Sequence, residues 1–433
     1  MRTDLLAIVQ AGIGAVDPFA LTARALGGSE VARRLNRAVD SGSAERPAAI
    51  QVIAAGKAAR GMAEAAVSVL GTRVRSGVVI APSDVSVPPL ESIAGGHPTP
   101  NAGSERGGRR ALEIARSAAD GDALLVLLSG GASSLMAAPA EGVSLDDKIA
   151  TTARLLRAGA DIQALNTVRK HLSAVKGGWL AAAAGGCTAL AISDVVGDDV
   201  SVIASGPTVP DATTFEQAVE ILRRFGGERE FPAAVVRHLA AGARGEVPET
   251  PKAGDARLAA ATTTVIGGRR DAMAGALNEA QSRGYHLLKI DDAVVGEART
   301  AAVAHVRAMS ARAAGIGRPA CIVSSGETTV RVKGHGKGGR NQEFALAAAA
   351  LLQATASGAA LASAGTDGVD GPTDAAGAVA DSTTIARAQA LGLNPSGFLD
   401  DNNAYGFFAP LGDLIKTGPT GTNVGDLQVI LLA

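Results

Sequence analysis

The chain has little from which to build a covalent or aromatic framework, with 2 cysteines and 3% aromatic residues in 433 positions. Cys187 and Cys321 both sit in strand-like apolar runs, so they read as reduced core residues and not as a disulfide, a metal pair or a nucleophile. An excess of one charge is missing too. Lys plus Arg number 41 against 42 Asp plus Glu, and no basic stripe interleaved with aromatics occurs, which argues against nucleic acid as a partner. No apolar run is suited to span a membrane, since the longest weakly polar stretch, residues 179–196, is Ala/Gly-rich and carries Asp194. Met1-Arg2-Thr3-Asp4 and the amphipathic stretch after it lack the apolar core and cleavage site of a signal peptide. These absences lead to the expectation of a cytoplasmic protein that works on small molecules, with a homo-oligomer left open.

What the chain does have is glycine, 54 residues of it, and a hydrophobic fraction of 47% made mainly of Ala, Val, Leu and Ile. Its length exceeds what one core usually serves, so two α/β domains are expected. The central stretch is Leu124-Leu125-Val126-Leu127-Leu128-Ser129-Gly130-Gly131-Ala132-Ser133-Ser134. An unbroken apolar run closed by Ser-Gly-Gly reads as a buried parallel strand ending in a tight loop. Gly130 and Gly131 would let backbone N–H groups approach an anion, with Ser129 and Ser133 adding hydroxyls; a plain strand-to-helix turn explains the same glycines. Upstream, residues 49–57 form a strand ending in Gly56-Lys57, and Gly95-Gly96-His97-Pro98 is a stiff polar loop. His97 there is a ligand candidate or merely a solvated turn residue. Downstream, a strand over 187–192 ends in Asp194. Strands alternating with helices, and polar loops after the strands, are the pattern of a doubly wound sheet.

Residues 225–255 break this periodicity with Gly and Pro, and the later part reads as a linker. A second α/β layer is expected to begin with the strand 260–266. The run 320–327 ends in Ser325-Gly326-Glu327, echoing Leu128-Ser129-Gly130. Gly334, Gly336 and Gly339 formally match the dinucleotide pattern G-x-G-x-x-G, but the acidic residue expected at the end of the next strand is missing. Lys337 and Arg340 suit an anion clamp better, and a solvated basic turn is the bland alternative. Asp367, Asp370 and Asp374 lie in a glycine-rich loop after a buried strand. Such carboxylates suit Mg²⁺, although Asx turns would account for any one of them.

Taken together, Gly56-Lys57, Gly95-Gly96-His97-Pro98, Leu128-Ser129-Gly130-Gly131-Ala132-Ser133, Asp194-Val195-Val196-Gly197-Asp198 with Ser205-Gly206-Pro207-Thr208, Gly338-Gly339-Arg340-Asn341-Gln342-Glu343, Thr366-Asp367-Gly368-Val369-Asp370-Gly371 and Gly418-Pro419-Thr420-Gly421-Thr422-Asn423-Val424 resemble the class II glycerate kinases, the MOFRL family. The resemblance spans nearly the whole chain. It implies an N-terminal doubly wound, Rossmann-like, mainly parallel sheet over 1–245 and a C-terminal α/β domain over 258–433 containing the MOFRL module at about 320–425, with the active site in the cleft between them. It also implies phosphorylation of D-glycerate by ATP, most simply at the 2-hydroxyl, with Mg²⁺. The family's lysine and arginine would fall on Lys57 and Arg340.

Phosphoryl transfer is mostly positioning and charge neutralisation, which assigns candidate roles. Ser129, Gly130, Gly131 and Ser133 would cradle phosphates without a P-loop. Asp194 and Asp367 would hold Mg²⁺ or take the hydroxyl proton, and Lys57 and Arg340 would bind the glycerate carboxylate and the transferring group. His97, Glu327 and Asn341 complete the candidate binding set. An NAD(P)H-dependent hydroxypyruvate reductase and a non-catalytic sugar-acid sensor are the rival readings.

Overall fold

The computed structural model describes residues 1–40, 49–118, 122–354 and 358–433. It contains two compact units, one of residues Pro18–Ile266 and one that joins Met1–Asp17 to Gly267–Ala433.

The first unit is built on β1 (Ile50–Ala55), β2 (Val74–Ala81), β3 (Glu91–Ala94), β4 (Ala123–Leu128), β5 (Thr188–Ile192) and β6 (Thr262–Gly267). Their order is β3-β2-β1-β4-β5-β6, with parallel pairing from β3 through β5. β1 and β4 are buried at every residue, which is why both read as continuous apolar runs and not as alternating ones. The helix Ala102–Ala118 covers the sheet with Ala111, Ile114, Ala115 and Ala118, which pack in one core with Ile53, Ile80 and Val126. A second core in this unit is helical, formed by Leu155, Leu165, Val168, Phe215, Leu222 and Leu239.

The second unit carries β7 (His286–Lys289), β8 (Val294–Glu297), β9 (Ala320–Thr329), β10 (Ala359–Gly365), β11 (Gly377–Asp381), β12 (Leu414–Ile415) and β13 (Asp426–Leu432). The sheet is mixed, in the order β12-β11-β10-β13-β9-β7, with β8 pairing β9. β13 runs antiparallel to both β10 and β9. Its side chains alternate between two helical layers: Leu427, Val429 and Leu431 pack with Leu5, Ile8 and Met273, and Ile430 and Leu432 with Phe344 and Val306. Among the described residues no single helix is long and apolar enough to cross a membrane.

Three sequence expectations shift. The division into 1–245 and 258–433 differs from the units found, because the first helix, Arg2–Gly14, packs on the helix Arg269–Ser282, and Asp4 takes hydrogen bonds from Arg283 (2.6 Å) and Tyr285 (2.9 Å). The strand expected at 260–266 is β6, the last strand of the first sheet, not the first of the second. The stretch read as a linker is stapled to the first unit. Glu249 Oε1 lies 2.9 Å from His171 Nε2, and Thr250 Oγ1 donates to Asp211 at 3.1 Å. Its prolines and glycines shape an ordered return, which composition alone does not distinguish from a tether.

Candidate active site

In the first unit the strand order reverses direction between β1 and β4, the place where an open parallel sheet leaves a crevice at its carboxyl edge. The loops that follow these strands are Gly56-Lys57 and Ser129-Gly130-Gly131, and they are sewn together. Lys57 N donates to Gly130 O at 2.9 Å, and Ala58 N donates to Ser129 Oγ at 3.0 Å. Gly56 has φ +128°, and a β-carbon on it would sit 2.1 Å from Ser129 Oγ, so only glycine allows the approach. Ser129 is buried, and its hydroxyl holds the two loops together. Among the described residues no hydrogen bond takes the amide of Gly130 or Gly131, so both remain donors for an incoming anion.

Gly131 marks where three loops meet. Its φ is +84°, and a β-carbon there would lie 2.9 Å from the His97 ring and 3.5 Å from Lys57 Cγ. Ser134 Oγ donates to Pro98 O at 2.8 Å, fixing the His97 loop against the glycine loop. Gly131→Ala is therefore expected to cost about 1–3 kcal/mol in denaturant unfolding. Gly142 is the control: its φ is +77° but a β-carbon there would meet no atom within 4 Å, so Gly142→Ala should cost less. Equal losses would show that crowding at Gly131 contributes nothing. Asp194 follows β5, the neighbour of β4, and is half-buried at the same edge of the sheet.

Ser133 has partners that the sequence did not announce. Lys176 Nζ donates to Ser133 O (2.7 Å) and Oγ (3.0 Å), and Ser133 Oγ is 2.9 Å from Ser205 Oγ, which donates to Asn166 Oδ1 at 3.0 Å. Ala204 and Ser205 sit at φ 54° and 62°, a strained left-handed pair of non-glycine residues. The available signal was the lysine ahead of Gly177-Gly178, directly after residues 162–175, whose apolar spacing reads as a helix. The helix in fact ends at His171, which frees the following residues to fold back.

In the second unit the helix Arg340–Gln353 begins on a carboxylate cluster. Arg340 Nε donates to Asp426 (3.0 Å) and Nη1 to Glu327 (2.8 Å), while Asn341 Nδ2 donates to Asp426 at 2.9 Å and Asn341 Oδ1 accepts from Ser363 at 2.6 Å. Burial draws the Arg340 guanidinium down, but Asp426 and Glu327 outweigh it and raise its pKa. Asn341 is a buried anchor, and Glu327 lies inside β9, so the expected Ser-Gly strand end there is not a loop. Asp367 is half-buried and accepts the Val369 amide at 3.2 Å, an Asx turn.

Asp426 and Asp370 are the carboxylates that sequence reasoning underweighted. Asp370 accepts the amides of Asn341 (3.1 Å) and Gln342 (2.9 Å) at the first turn of the helix. Burial, followed by the charge of Asp426, lifts its pKa to about 7 against the opposing pull of those amides and of Arg340. A folded pKa above the unfolded value means that the folded chain keeps a proton the unfolded chain has lost. This contribution to stability is whole below about pH 4 and is lost as pH rises through about 7. Wild type should therefore lose stability relative to Asp370→Asn across that interval; melts that differ by a constant at every pH would count against it.

The G-x-G-x-x-G segment does not present a pyrophosphate cradle. The amides of Lys333 and Gly334 donate to Asn402 Oδ1 (2.7 and 2.9 Å), His335 N to Asp401 Oδ1 (2.8 Å), Gly336 N to Asp401 O (2.8 Å) and Lys337 N to Asn403 Oδ1 (3.2 Å). The glycines let this loop nest on the segment 401–403 and on Asp370, with the amides of residues 333–337 already used. As for metals, among the described residues no group of three His, Cys, Asp or Glu is placed to hold an ion. Asp426 and Asp370 are enclosed by their partners, which leaves half-buried Asp194 and Asp367 as the candidate carboxylates with a solvent-facing side. One or two carboxylates completed by water and phosphate oxygens is a donor set that fits Mg²⁺.

Residues 4–240 match the domain of unknown function DUF4147, and residues 320–426 match the MOFRL family. The chain is 40% identical to the D-glycerate 2-kinase of Thermotoga maritima over 88% of its own length and 90% of that protein's. It is also 40% identical to a putative hydroxypyruvate reductase of Agrobacterium vitis, covering 88% and 86% of the two chains. The crystal structure of glycerate kinase from Thermotoga maritima superimposes with a TM-score of 0.84 at 38% identity, covering 100% of this chain and 99% of that one. The chain belongs to the class II glycerate kinases, the MOFRL family.

Proposed function

We propose that the protein transfers the terminal phosphoryl group of ATP to D-glycerate, at the 2-hydroxyl, giving 2-phosphoglycerate and ADP. In the transfer the glycerate oxygen bonds to the γ-phosphorus, the bond to the β-phosphate oxygen breaks and the hydroxyl proton is released. The observation that carries this reading is the switch point between β1 and β4, where Lys57 and the donor amides of Gly130 and Gly131 converge. Fixed donors aimed at a phosphate are what phosphoryl transfer needs most. Lys57 is assigned to the transferring group, and Arg340, whose Nη2 carries no hydrogen bond among the described residues, to a substrate anion. Asp194 of the first unit and Asp367 of the second each offer a carboxylate to Mg²⁺, which neutralises phosphate charge when bound.

A nicotinamide-dependent reductase is disfavoured by the closed G-x-G-x-x-G loop. The deciding assay gives purified protein ATP, Mg²⁺ and D-glycerate, resolves 2- from 3-phosphoglycerate, and repeats the incubation without Mg²⁺. ADP and 2-phosphoglycerate formed in equal amounts, and only with the metal, is the expected result. NADH oxidation by hydroxypyruvate without any need for ATP would replace the proposal with the reductase.

A further inference from the structure

Beside the glycine loop the first unit holds a cavity of about 320 Å³ whose charged lining has one sign. Lys148, Arg169 and Lys176 line it together with the hydroxyls of Ser133, Ser134 and Thr152, and no Asp or Glu does. Lys148 is 7% exposed and Lys176 2%. Their ammonium groups donate only to neutral oxygens, Lys148 Nζ to Leu172 O at 2.8 Å and Lys176 Nζ to Ser133 O and Oγ. Among the described residues none of the three cations pairs with a carboxylate, and the Arg169 guanidinium makes no hydrogen bond.

Buried cations are ordinarily paired, because leaving water is costly and only an opposite charge offsets it. The adjacent Lys170 follows that rule, being 5% exposed and 3.1 Å from Asp211. Three uncompensated cations converging on one hollow break it. Burial pulls the Lys148 ammonium down to about 7, with Arg169 pushing the same way and Glu105 opposing, and pulls Lys176 well below its ordinary value, with Lys148 and Arg169 adding to the effect. An anion in the cavity would remove this mutual repulsion. A guanidinium and two ammonium groups are a donor set for a tetrahedral oxoanion of more than one charge.

We propose that this cavity is a subsite for a dianionic phosphate group, held by Lys148, Arg169 and Lys176 beside the hydroxyl of Thr152. The carrier of that phosphate rests on the kinase reading given above; the subsite itself does not. Ligand pockets span about 300–1,000 Å³, so this one suits a small phosphorylated acid better than a whole nucleotide.

The test is binding of inorganic phosphate to the full-length protein, by calorimetry and by thermal shift, against sodium chloride of equal ionic strength. Saturable binding and a raised melting temperature are expected, with sulfate able to substitute. Lys148→Met and Arg169→Gln should each weaken phosphate binding at least tenfold while keeping or raising the melting temperature without ligand, since each removes one of three mutually repelling cations, Lys148 buried and Arg169 half-buried. A merely structural role gives the reverse, a lower melting temperature with affinity intact, and that result overturns the subsite. Displacement of phosphate by 2-phosphoglycerate but not by ATP supports the site as one for the product, and displacement by ATP alone supports it as one for the nucleotide. Should either variant fail to fold, the other decides by its affinity for phosphate, and no phosphate effect on the wild type beyond that of chloride also overturns the subsite. The readout is phosphate binding and not turnover, so the kinase reading can fail while the subsite stands, and the reverse.

Discussion

Arg340→Ala is expected to destabilise the second unit by about 3–5 kcal/mol and to remove most turnover. The stability loss follows from Asp426, whose side chain is fully enclosed and whose charge is met by Arg340 at 2.9 Å and by Asn341. Burial already raises the Asp426 pKa, and Arg340 is the largest influence holding it down. Removing the guanidinium leaves a buried carboxylate that must protonate or bring in water. The deficit should therefore be smaller at pH 5 than at pH 8, because the folded pKa then lies above the unfolded one and stability is lost as pH rises through it. Arg340→Lys keeps the charge but cannot reach Asp426 and Glu327 with one planar fork, so it should recover part of the stability and little of the activity. Urea unfolding of Arg340→Ala, Asp426→Asn and the double variant gives the coupling directly. Additive losses in that cycle would mean that the pair contributes nothing beyond its parts.

The same residues show what a sequence can and cannot reveal. Strand β4 and its Ser-Gly-Gly end were legible because six consecutive apolar residues, too few for a helix and closed by glycines, read as a strand buried on both faces. The position of Lys57 at a strand end was legible for the related reason that it follows an apolar run and a glycine. Asp426 was not, because as the first residue of an apolar strand it looks like a polar boundary, and only the register of β13 between β10 and β9 carries it into the core beside Arg340. The glycine-rich loop 334–339 bears out the opposite lesson: its spacing formally resembles a phosphate cradle, the missing acidic residue already argued against one, and the amides of residues 333–337 are taken by residues about 66 positions away. The cations Lys148, Arg169 and Lys176 lie 21 and 7 residues apart, so no local pattern joins them, and only the packing of the helices Leu145–Arg157 and Ile162–His171 with the chain beyond brings them to one cavity. Pairings between distant segments decide these cases, and a motif contains none of them.

Lys57→Met should lower kcat by about two to three orders of magnitude, the effect of removing one preorganised charge-stabilising donor. It should do so without unfolding the site, for reasons visible in the backbone. The tie between the two loops is the main-chain bond from Lys57 N to Gly130 O together with the Ala58 amide on Ser129 Oγ, and neither uses the lysine side chain. Methionine keeps much of the stem that reaches Gly131, so the packing of the three loops is preserved while the ammonium is lost. The effect should also fall mainly on kcat, with KM for D-glycerate and ATP changed far less, because a donor aimed at the transferring group acts most strongly where charge develops. Lys57→Arg restores charge but replaces a compact ammonium by a broader planar fork, so it should rescue poorly. Steady-state kinetics of both variants beside their melting curves is the measurement. A well-folded Lys57→Met protein with wild-type kcat would remove Lys57 from the chemistry and leave the glycine amides as the phosphate donors of this loop.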